Sequence, residues 1–308
     1  MGGAANPVAA DLAPRCALCG GSSPLAWTDC RDLEYFVADR FPAHRCGSCG
    51  LVFLHPLPTR AELPGYYPPG YQNFDPPRNP ISAFLVGRYH AAHLATALRH
   101  LPPVGAFFEV GAADGALLDR VRARGHTVGG VELSRDGCER AWAKGLDVFH
   151  GTLEELRTDR RYDVVFMSHV IEHVLDPVET MARVRELLKP GGVVYVETPN
   201  VGSPDARLFG EHWGLVHHPR HLWFFTRATL RRLLEGAGLV VERERWEPNS
   251  CGWGLSVQTA LRRRGWDRSR RPRSFYYPLL LVGLLPLNLV DVLAGGTAFM
   301  SAVARRPA

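Results

Sequence analysis

The chain has 308 residues, of which 46% are hydrophobic and 22% are charged, and its formal net charge is +5. This composition is that of an ordinary globular protein and excludes collagen-like and disordered chains. Residues 261–273 hold seven arginines and one aspartate, so this one segment carries more positive charge than the whole chain. Because the remainder is slightly acidic, the sequence predicts no broad basic face, and we expect no nucleic-acid partner.

Residues 1–15 are predicted to be a flexible N-terminus. They have neither the basic start nor the apolar centre of a secretory signal, so we expect a cytoplasmic protein. The seven cysteines of the chain are then expected to be reduced thiols or metal ligands rather than disulfides.

Four cysteines form two Cys-x-x-Cys-Gly turns that are separated by 26 residues. Each turn brings two thiolates to one point, and four thiolates suit tetrahedral zinc. The predicted ligands are Cys16, Cys19, Cys46 and Cys49. We therefore expect residues 16–54 to be a small zinc ribbon in which the metal is structural, because so short a segment cannot bury a sufficient core.

A connector rich in proline and tyrosine follows, and a helical pattern covers residues 81–100, so residues 55–100 are predicted to be connector and helix. From residue 104 onward, short apolar strands alternate with helices, which predicts a parallel, doubly wound sheet. The strands are expected at 106–110, 127–132, 147–150, 163–168 and 193–198, and the helices at 115–124, 134–144 and 177–188. This domain is predicted to span residues 101–250, and residues 296–308 to supply a last strand that completes the sheet. The loop 201–225 is predicted to be non-helical.

The first of these strands ends in the segment Glu109-Val-Gly-Ala-Ala-Asp-Gly115. Its small residues let the backbone approach a ligand closely at the carboxyl end of a strand. A carboxylate two residues before the first glycine would repel a pyrophosphate but would suit S-adenosylmethionine, a cation without phosphate. Glu132, at the end of the next strand, is placed to bind a pair of ribose hydroxyls. The dinucleotide glycine spacing is met only loosely, so an NAD-dependent sugar enzyme stays an alternative.

Five motifs in order resemble those of class I S-adenosylmethionine-dependent methyltransferases. They are residues 109–115, Glu132, residues 150–154, residues 162–173, and residues 188–192 with residues 197–200. The resemblance implies an α/β, Rossmann-like, doubly wound and mostly parallel sheet with S-adenosylmethionine as cofactor. The cofactor-binding residues it implies are Glu109, Gly111, Ala113, Gly115, Glu132, Leu133, Thr152, Leu153 and Ser168. Thr152 stands where the family usually has aspartate.

Histidines concentrate after the fourth and fifth strands of this pattern, where the ligand crevice of such a sheet forms. Histidine titrates near neutrality and is a natural base for methyl transfer. By resemblance, His173 is the expected catalytic base and His221 the second candidate, with His217 and His218 near the substrate. A structural hydrogen bond is the alternative for His173, and a metal site is the alternative for the loop histidines.

The segment 46–56 and the tyrosines after it resemble zinc-ribbon methyltransferases of bacterial surface-polysaccharide and deoxysugar pathways. The resemblance implies methyl transfer to a nucleotide-linked or lipid-linked sugar or glycan, with Tyr67 and Tyr71 at the substrate. A quinone-type or other small-molecule O-methyltransferase and a zinc-bearing scaffold without activity are the alternatives. Attack through oxygen or carbon stays open.

Residues 251–295 read as an insertion in which a polybasic run and aromatic residues precede an apolar stretch. This order is typical of membrane surfaces. Pro286, Asn288 and Asp291 interrupt the apolar stretch, so residues 261–293 are predicted to contact the inner face of the cell membrane without crossing it. Burial against another domain or a second copy is the alternative, and we expect a monomer or homodimer.

Overall fold

The computed structural model describes residues 13–36, 41–67, 80–247 and 250–308. Tyr71, predicted to contact the substrate, lies outside the described residues. The strands are β1 (Leu25–Cys30), β2 (Phe41–Arg45), β3 (Val52–Leu54), β4 (Ala106–Val110), β5 (Thr127–Glu132), β6 (Val148–His150), β7 (Tyr162–Ser168), β8 (Leu188–Pro199), β9 (Trp223–Phe224), β10 (Val240–Glu247) and β11 (Phe299–Arg305). The α-helices are α1 (Pro80–Arg99), α2 (Ala116–Arg122), α3 (Arg135–Ala143), α4 (Pro177–Leu187), α5 (Pro204–Phe209), α6 (Arg227–Gly236), α7 (Cys251–Arg263), α8 (Tyr277–Gly283) and α9 (Leu285–Leu293).

The chain folds into two compact units, each built from separate stretches of sequence. The ribbon unit comprises Met1–Tyr66, Asn200–Leu230 and Pro248–Ala298, and the sheet unit comprises Tyr67–Pro199, Arg231–Glu247 and Phe299–Ala308. The ribbon unit therefore contains the N-terminal cysteines, residues 201–225, which we call the histidine loop, and the insertion of residues 251–295. The sheet unit contains residues 109–115, which we call the glycine loop, and the strands around it.

The sheet unit holds a seven-stranded sheet in the order β10-β11-β8-β7-β4-β5-β6. The five strands from β8 to β6 run parallel, and β11 lies antiparallel between β8 and β10. Strand order reverses at β4, whose Glu109 pairs with Gly130 on one side and Phe166 on the other. The carboxyl ends of β4, β5 and β7 therefore border the switch point where ligands bind in such sheets. The predicted Rossmann-like, mostly parallel α/β fold is confirmed.

The core of the sheet unit is apolar on the face that α1, α2 and α3 cover. Phe107, Leu118, Val121, Cys138 and Phe166 are among its buried members. Phe166 also stacks on Tyr195 of the neighbouring strand, with ring centroids 4.6 Å apart. This packing fixes β4, β7 and β8 side by side, and so fixes the loops that leave their carboxyl ends.

The ribbon unit is organised around a four-stranded antiparallel sheet in the order β1-β2-β3-β9. Its last strand comes from the histidine loop, where Trp223 pairs with Phe53. Arg220 and Asp32, both fully buried, form an ion pair of 2.6 Å between Nη1 and Oδ2. Since a broken buried pair is costly, this contact holds the histidine loop against the N-terminal segment.

The prediction that residues 201–225 contain no helix is wrong. Helix α5 begins after Ser203, whose side chain accepts a hydrogen bond from the Ala206 amide, and Pro204 takes the first helical position. A serine cap followed by proline is a helix-start signal that outweighs the aromatic and histidine content of the segment.

No helix among residues 13–36, 41–67, 80–247 and 250–308 is long and apolar enough to span a bilayer.

Candidate active site

The loop between β4 and α2 is shaped by two glycines in the left-handed region. Gly111 has φ 75° and Gly115 has φ 74°. A Cβ at Gly111 would lie 2.6 Å from Val170 Cγ2, and one at Gly115 would lie 2.3 Å from Leu146 Cδ1. Neither position has room for a side chain, so the loop can take this close path only with glycine. Ala113, between them, is also left-handed at φ 51°.

Glu132 ties this loop to the end of β5. Its buried carboxylate accepts a hydrogen bond from the Ala113 amide at 2.8 Å and another from the Ser134 amide at 2.7 Å. Two backbone donors hold the side chain in one orientation beside the glycine loop. Leu133, directly after it, leaves more than half of its surface exposed.

Glu109 lies at the same edge of the sheet but has a different environment. Its Oε2 is buried and has no hydrogen-bond partner among the described residues. Burial, reinforced by the negative charges of Glu132 and Asp114, raises the pKa of this carboxyl well above its ordinary value. A cation placed here would stabilise the carboxylate, so Glu109 is suited to a positively charged ligand.

Thr152 and Leu153 follow β6 on the other side of Glu132. Leu153 is buried, and the Thr152 amide donates to Glu155 Oε2 at 2.8 Å. The Thr152 hydroxyl is buried without a hydrogen-bond partner in the described part of the chain. The Gly151 amide, just before them, donates to the Glu132 carbonyl at 3.0 Å, so this turn is fixed to β5.

These features together fit S-adenosylmethionine. The glycine loop admits a ligand close to the backbone, and Glu132 holds a carboxylate in a fixed orientation beside that loop. The buried Oε2 of Glu109 has no hydrogen-bond partner among the described residues, and Leu133 is an exposed apolar side chain next to Glu132. S-adenosylmethionine has no phosphate group, so it needs no basic side chain at these positions.

A second cluster, of histidine and carboxylate side chains, lies where β7 and β8 end. His169 takes φ 55° directly after β7, a strained backbone for a residue with a Cβ. Its Nδ1 is 3.4 Å from Glu172 Oε1, and its Nε2 is 3.6 Å from Glu197 Oε1. His93 Nε2 lies 2.8 Å from Glu197 Oε2, and the Tyr195 and Ser168 hydroxyls donate to that same oxygen.

The carboxylates of this cluster determine the charge of His169. Burial alone would lower the pKa of His169, but its hydrogen bonds to Glu172 and Glu197 and their charges outweigh burial and raise the pKa to about 10. Burial would raise the pKa of Glu197, but the hydrogen bonds and charges of His169 and His93 lower it. His169 is therefore an imidazolium at neutral pH and cannot accept a proton there.

His173 lies four residues further along and close to the Glu172 carboxylate, whose pKa the charge of His173 helps to lower. Its Nδ1 is 3.2 Å from the Tyr67 hydroxyl, and the two ring centroids are 6.3 Å apart. The backbone amide of His173 donates to the Val170 carbonyl at 2.9 Å. The structure thus brings together a predicted base and a predicted substrate contact, one on each side of α1 in sequence.

The family described as a methyltransferase domain matches residues 85–244, which is just over half of the chain. The chain belongs to this methyltransferase family. The match covers the glycine loop, Glu132, the His169 cluster and His173. The chain is therefore an S-adenosylmethionine-dependent methyltransferase, and this family excludes the alternative of an NAD-dependent sugar enzyme.

Similar curated methyltransferases are named for one pathway. "Ubiquinone biosynthesis O-methyltransferase" of Dinoroseobacter shibae is 28% identical over 197 residues, 58% of this chain and 79% of that protein. The protein of the same name from Aeromonas salmonicida is 32% identical over 148 residues, 43% of this chain and 62% of the relative. The chain thus spans less than two thirds of the second relative.

A solved structure with the same fold is phosphoethanolamine N-methyltransferase 2 of Haemonchus contortus, in complex with S-adenosyl-L-methionine. It is 16% identical, with a TM-score of 0.52, and the match covers 83% of this chain and 62% of that chain. At this identity the likeness shows the fold alone.

The predicted sugar or glycan acceptor in polysaccharide or deoxysugar biosynthesis is wrong. The similar curated methyltransferases are named for small-molecule O-methylation in ubiquinone biosynthesis. The prediction rested on the cysteine turns and the tyrosines after them, which lie before the matched residues 85–244.

The ribbon unit of the methyltransferase holds the remaining histidines of the predicted site. His221 is buried, and its Nδ1 lies 2.8 Å from the Leu215 carbonyl oxygen. His217 Nε2 is 2.7 Å from Glu34 Oε2, and its ring centroid is 4.8 Å from that of His221. Full burial lowers the pKa of His218 to about 3, so this ring is neutral.

The sequence interpretation missed three members of the methyltransferase site: His93, Glu172 and Glu197. Glu172 and Glu197 lie inside recognised motifs, but only the pairing of β7 with β8 places them around His169. Ser168, predicted near the adenosine, donates to Glu197 Oε2 at 3.3 Å. Its hydroxyl therefore belongs to the carboxylate cluster.

Proposed function

We propose that this methyltransferase methylates a hydroxyl of a small aromatic acceptor of the quinone-precursor type. The observation that carries the proposal is the similarity to the Dinoroseobacter shibae ubiquinone biosynthesis O-methyltransferase across 79% of that protein. A phenolic hydroxyl ionises near pH 10, so its methylation near neutral pH requires a base. The residues around His173 support such a step.

Nine residues of the sheet unit would hold S-adenosylmethionine. They are Glu109, Gly111, Ala113, Gly115, Glu132, Leu133, Thr152, Leu153 and Ser168. When bound, the cofactor supplies an electrophilic methyl group on a sulfonium. Glu132 would accept hydrogen bonds from the ribose hydroxyls, and Glu109 would pair with the ammonium group.

His173 is the proposed general base. The acceptor hydroxyl would give its proton to the imidazole as its oxygen becomes the nucleophile, and positioned bases of this kind contribute about 10²–10⁴ in rate. The Tyr67 hydroxyl, 3.2 Å from Nδ1, orients the ring. His169 cannot take this role because its two carboxylate partners keep it protonated.

The histidines of the ribbon unit stay secondary proposals. His221 is the second candidate base, with His217 and His218 proposed near the substrate. His217 Nε2 lies 2.7 Å from Glu34 Oε2, whereas burial lowers the pKa of His218 to about 3 and keeps that ring neutral. His218 therefore contributes shape rather than charge.

We also propose that Cys16, Cys19, Cys46 and Cys49 bind one structural zinc ion. The four Sγ atoms all lie within 4.8 Å of one another. Cys16 Sγ is 3.5 Å from Cys49 Sγ, and Cys19 Sγ is 3.4 Å from Cys46 Sγ. Zinc–sulfur bonds of about 2.3 Å in a tetrahedron place the sulfurs roughly 3.8 Å apart, so small movements would complete the site.

The acceptor proposal is tested with the purified chain and S-adenosylmethionine bearing a labelled methyl group. Catechols with an alkyl side chain, as quinone precursors, should become labelled on oxygen, and mass spectrometry of the product locates the methyl group. Nucleotide-linked sugars serve as the comparison. Labelling of a sugar with none on any catechol would overturn the proposal.

A further inference from the structure

Helix α9 buries polar side chains and exposes apolar ones, which is the reverse of an ordinary surface helix. The polar Asn288 and Asp291 are its buried residues. Leu285, Leu289 and Leu293 expose 53%, 66% and 79% of their surface. Amphipathic helices of water-exposed proteins show the opposite arrangement, with the apolar stripe inward.

This inversion is built into the packing of the insertion. Asp291 Oδ2 accepts a hydrogen bond from Trp253 Nε1 of α7 at 2.8 Å, which fixes the rotation of α9 about its own axis. Asn288, one turn earlier, faces inward with it. Turning the leucines inward would break this bond and expose the indole N–H, so the apolar face is held outward.

Helix α8 continues the apolar surface. Its buried Tyr277 has its hydroxyl 3.0 Å from Cys251 Sγ of α7, which anchors the helix. Leu279 and Val282 of α8 are 73% and 65% exposed, and Phe275 just before it is 92% exposed. Contiguous exposed apolar patches of this kind mark interaction sites.

The arginines of residues 262–273 divide into two groups. Arg262, Arg263 and Arg273 pair with Asp267, Asp29 and Glu34 and so hold the ribbon unit together. The other four are exposed and form no ion pair within the described residues. They are Arg264, Arg268, Arg270 and Arg271. Trp266, 75% exposed, lies among them, 5.6 Å from the Arg264 guanidinium.

We propose that residues 264–293 form a docking surface for an anionic lipid bilayer. We call this surface the insertion face. Its outward leucines, Phe275 and Trp266 would enter the interfacial region, and the four unpaired arginines would meet lipid phosphates. Helices α8 and α9 are seven and nine residues long, so they suit an in-plane position rather than a crossing.

A second copy of the chain is a poorer occupant of the insertion face. A two-fold interface places the same patch of both subunits together. Two sets of four exposed arginines would then lie in one interface, and the repulsion between their like charges disfavours the contact. An anionic bilayer supplies apolar depth and negative charge at once.

The docking surface goes beyond the proposed methyl transfer and does not depend on it. A chain that bound lipid would do so whatever its acceptor, and loss of lipid binding would leave the methyl-transfer chemistry intact. A quinone-type acceptor would, however, reside in the same lipid phase.

The test is flotation of the full chain with phosphatidylcholine vesicles, with and without phosphatidylglycerol. We expect binding to the anionic vesicles that weakens with salt, because the arginine attraction is screened. Leu289→Ser with Leu293→Ser should lower vesicle affinity about tenfold. Arg268→Glu with Arg270→Glu and Arg271→Glu should lower it by at least about a hundredfold for anionic vesicles.

Arg207 and Leu208 provide the matched control, because they are an exposed arginine and an exposed leucine outside the insertion face. Arg207→Glu with Leu208→Ser should bind vesicles like the wild type. An unchanged circular-dichroism spectrum and melting temperature of each variant show that it is folded. The proposal fails if the wild type ignores anionic vesicles or if the face variants bind like the control. It also fails if the chain is a dimer that Leu289→Ser with Leu293→Ser dissociates.

Discussion

The Glu132 carboxylate accepts a hydrogen bond from the Ala113 amide at 2.8 Å, so the acid that ends β5 also holds the loop that follows β4. The residue proposed to bind the cofactor ribose is therefore a structural tie within the site. A substitution at this position should change both the cofactor affinity and the stability of the glycine loop.

Glu132→Ala should weaken S-adenosylhomocysteine binding by about 1.5–3 kcal/mol, the range for hydrogen bonds to a charged group. It should also lower the melting temperature of the ligand-free protein, since two backbone amides lose their acceptor. Titration calorimetry and thermal unfolding measure the two effects. Asp136→Ala, at an exposed acid on α3, is the control and should change neither. Full cofactor affinity in Glu132→Ala would remove Glu132 from the site.

Glu109 should release a proton when the cofactor binds. Burial and the charges of Glu132 and Asp114 raise the pKa of its carboxyl and so favour the protonated form in the free protein, whereas a bound ammonium group would favour the carboxylate. Affinity should therefore rise as pH increases toward the free-state pKa. Calorimetry in buffers with different ionisation heats measures the number of protons released on binding. Glu109→Gln should reduce this number by the proton that Glu109 contributes. An identical proton count in both proteins would contradict the pairing.

His169 should stabilise the protein mainly at neutral and acidic pH. Because its pKa is raised to about 10 in the folded protein, its contribution is complete below its ordinary pKa near 6.5. That contribution is lost as pH rises through 10. The lowered pKa values of Glu172 and Glu197 act in the other direction, and their contribution is lost as the medium becomes acidic.

His169→Gln should therefore reduce the free energy of unfolding most near pH 7, where both carboxylates would lose the charge of His169. The loss should stay below the roughly 3–5 kcal/mol of a fully buried pair, because the His169 side chain is 34% exposed and solvent screens it. Urea unfolding at several pH values measures the difference. A loss that is constant from pH 6 to above pH 10 would show that charge is not its cause.

Local sequence patterns predicted the elements that carry the cofactor. The predicted strands 106–110 and 127–132 have the bounds of β4 and β5, because each is a short apolar run next to glycine or a turn. The glycine loop and Glu132 could be assigned because their spacing along the chain is short and typical of the family.

Contacts across long stretches of sequence could not be predicted. His93 reaches Glu197 across 104 residues, and β9 joins β3 from the far side of the sheet unit in sequence. The inversion of α9 was also hidden, since its sequence allows either face to turn inward until the partner Trp253 is known. In each case a tertiary partner decides the arrangement.

His173→Ala should lower turnover by about 10²–10⁴ if the imidazole takes the acceptor proton, while cofactor affinity stays unchanged. Tyr67→Phe removes only the hydroxyl 3.2 Å from Nδ1, so it should cost less and should shift the pH at which the rate rises. Steady-state rates across pH, with calorimetry for the cofactor, separate these roles. Full turnover in His173→Ala would transfer the assignment to His221.

The four-cysteine cluster should bind one zinc ion per chain in the purified protein. Elemental analysis by mass spectrometry gives the stoichiometry, and a chromogenic chelator reports release after thiol modification. Cys46→Ser should lose the metal and destabilise the ribbon unit, whose strands β3 and β9 are only three and two residues long. Cys30→Ala, at a buried cysteine of β1 outside the cluster, is the control and should retain zinc. A wild-type protein that stays folded with no metal after chelation would show that the hydrogen bonds of the two cysteine turns suffice.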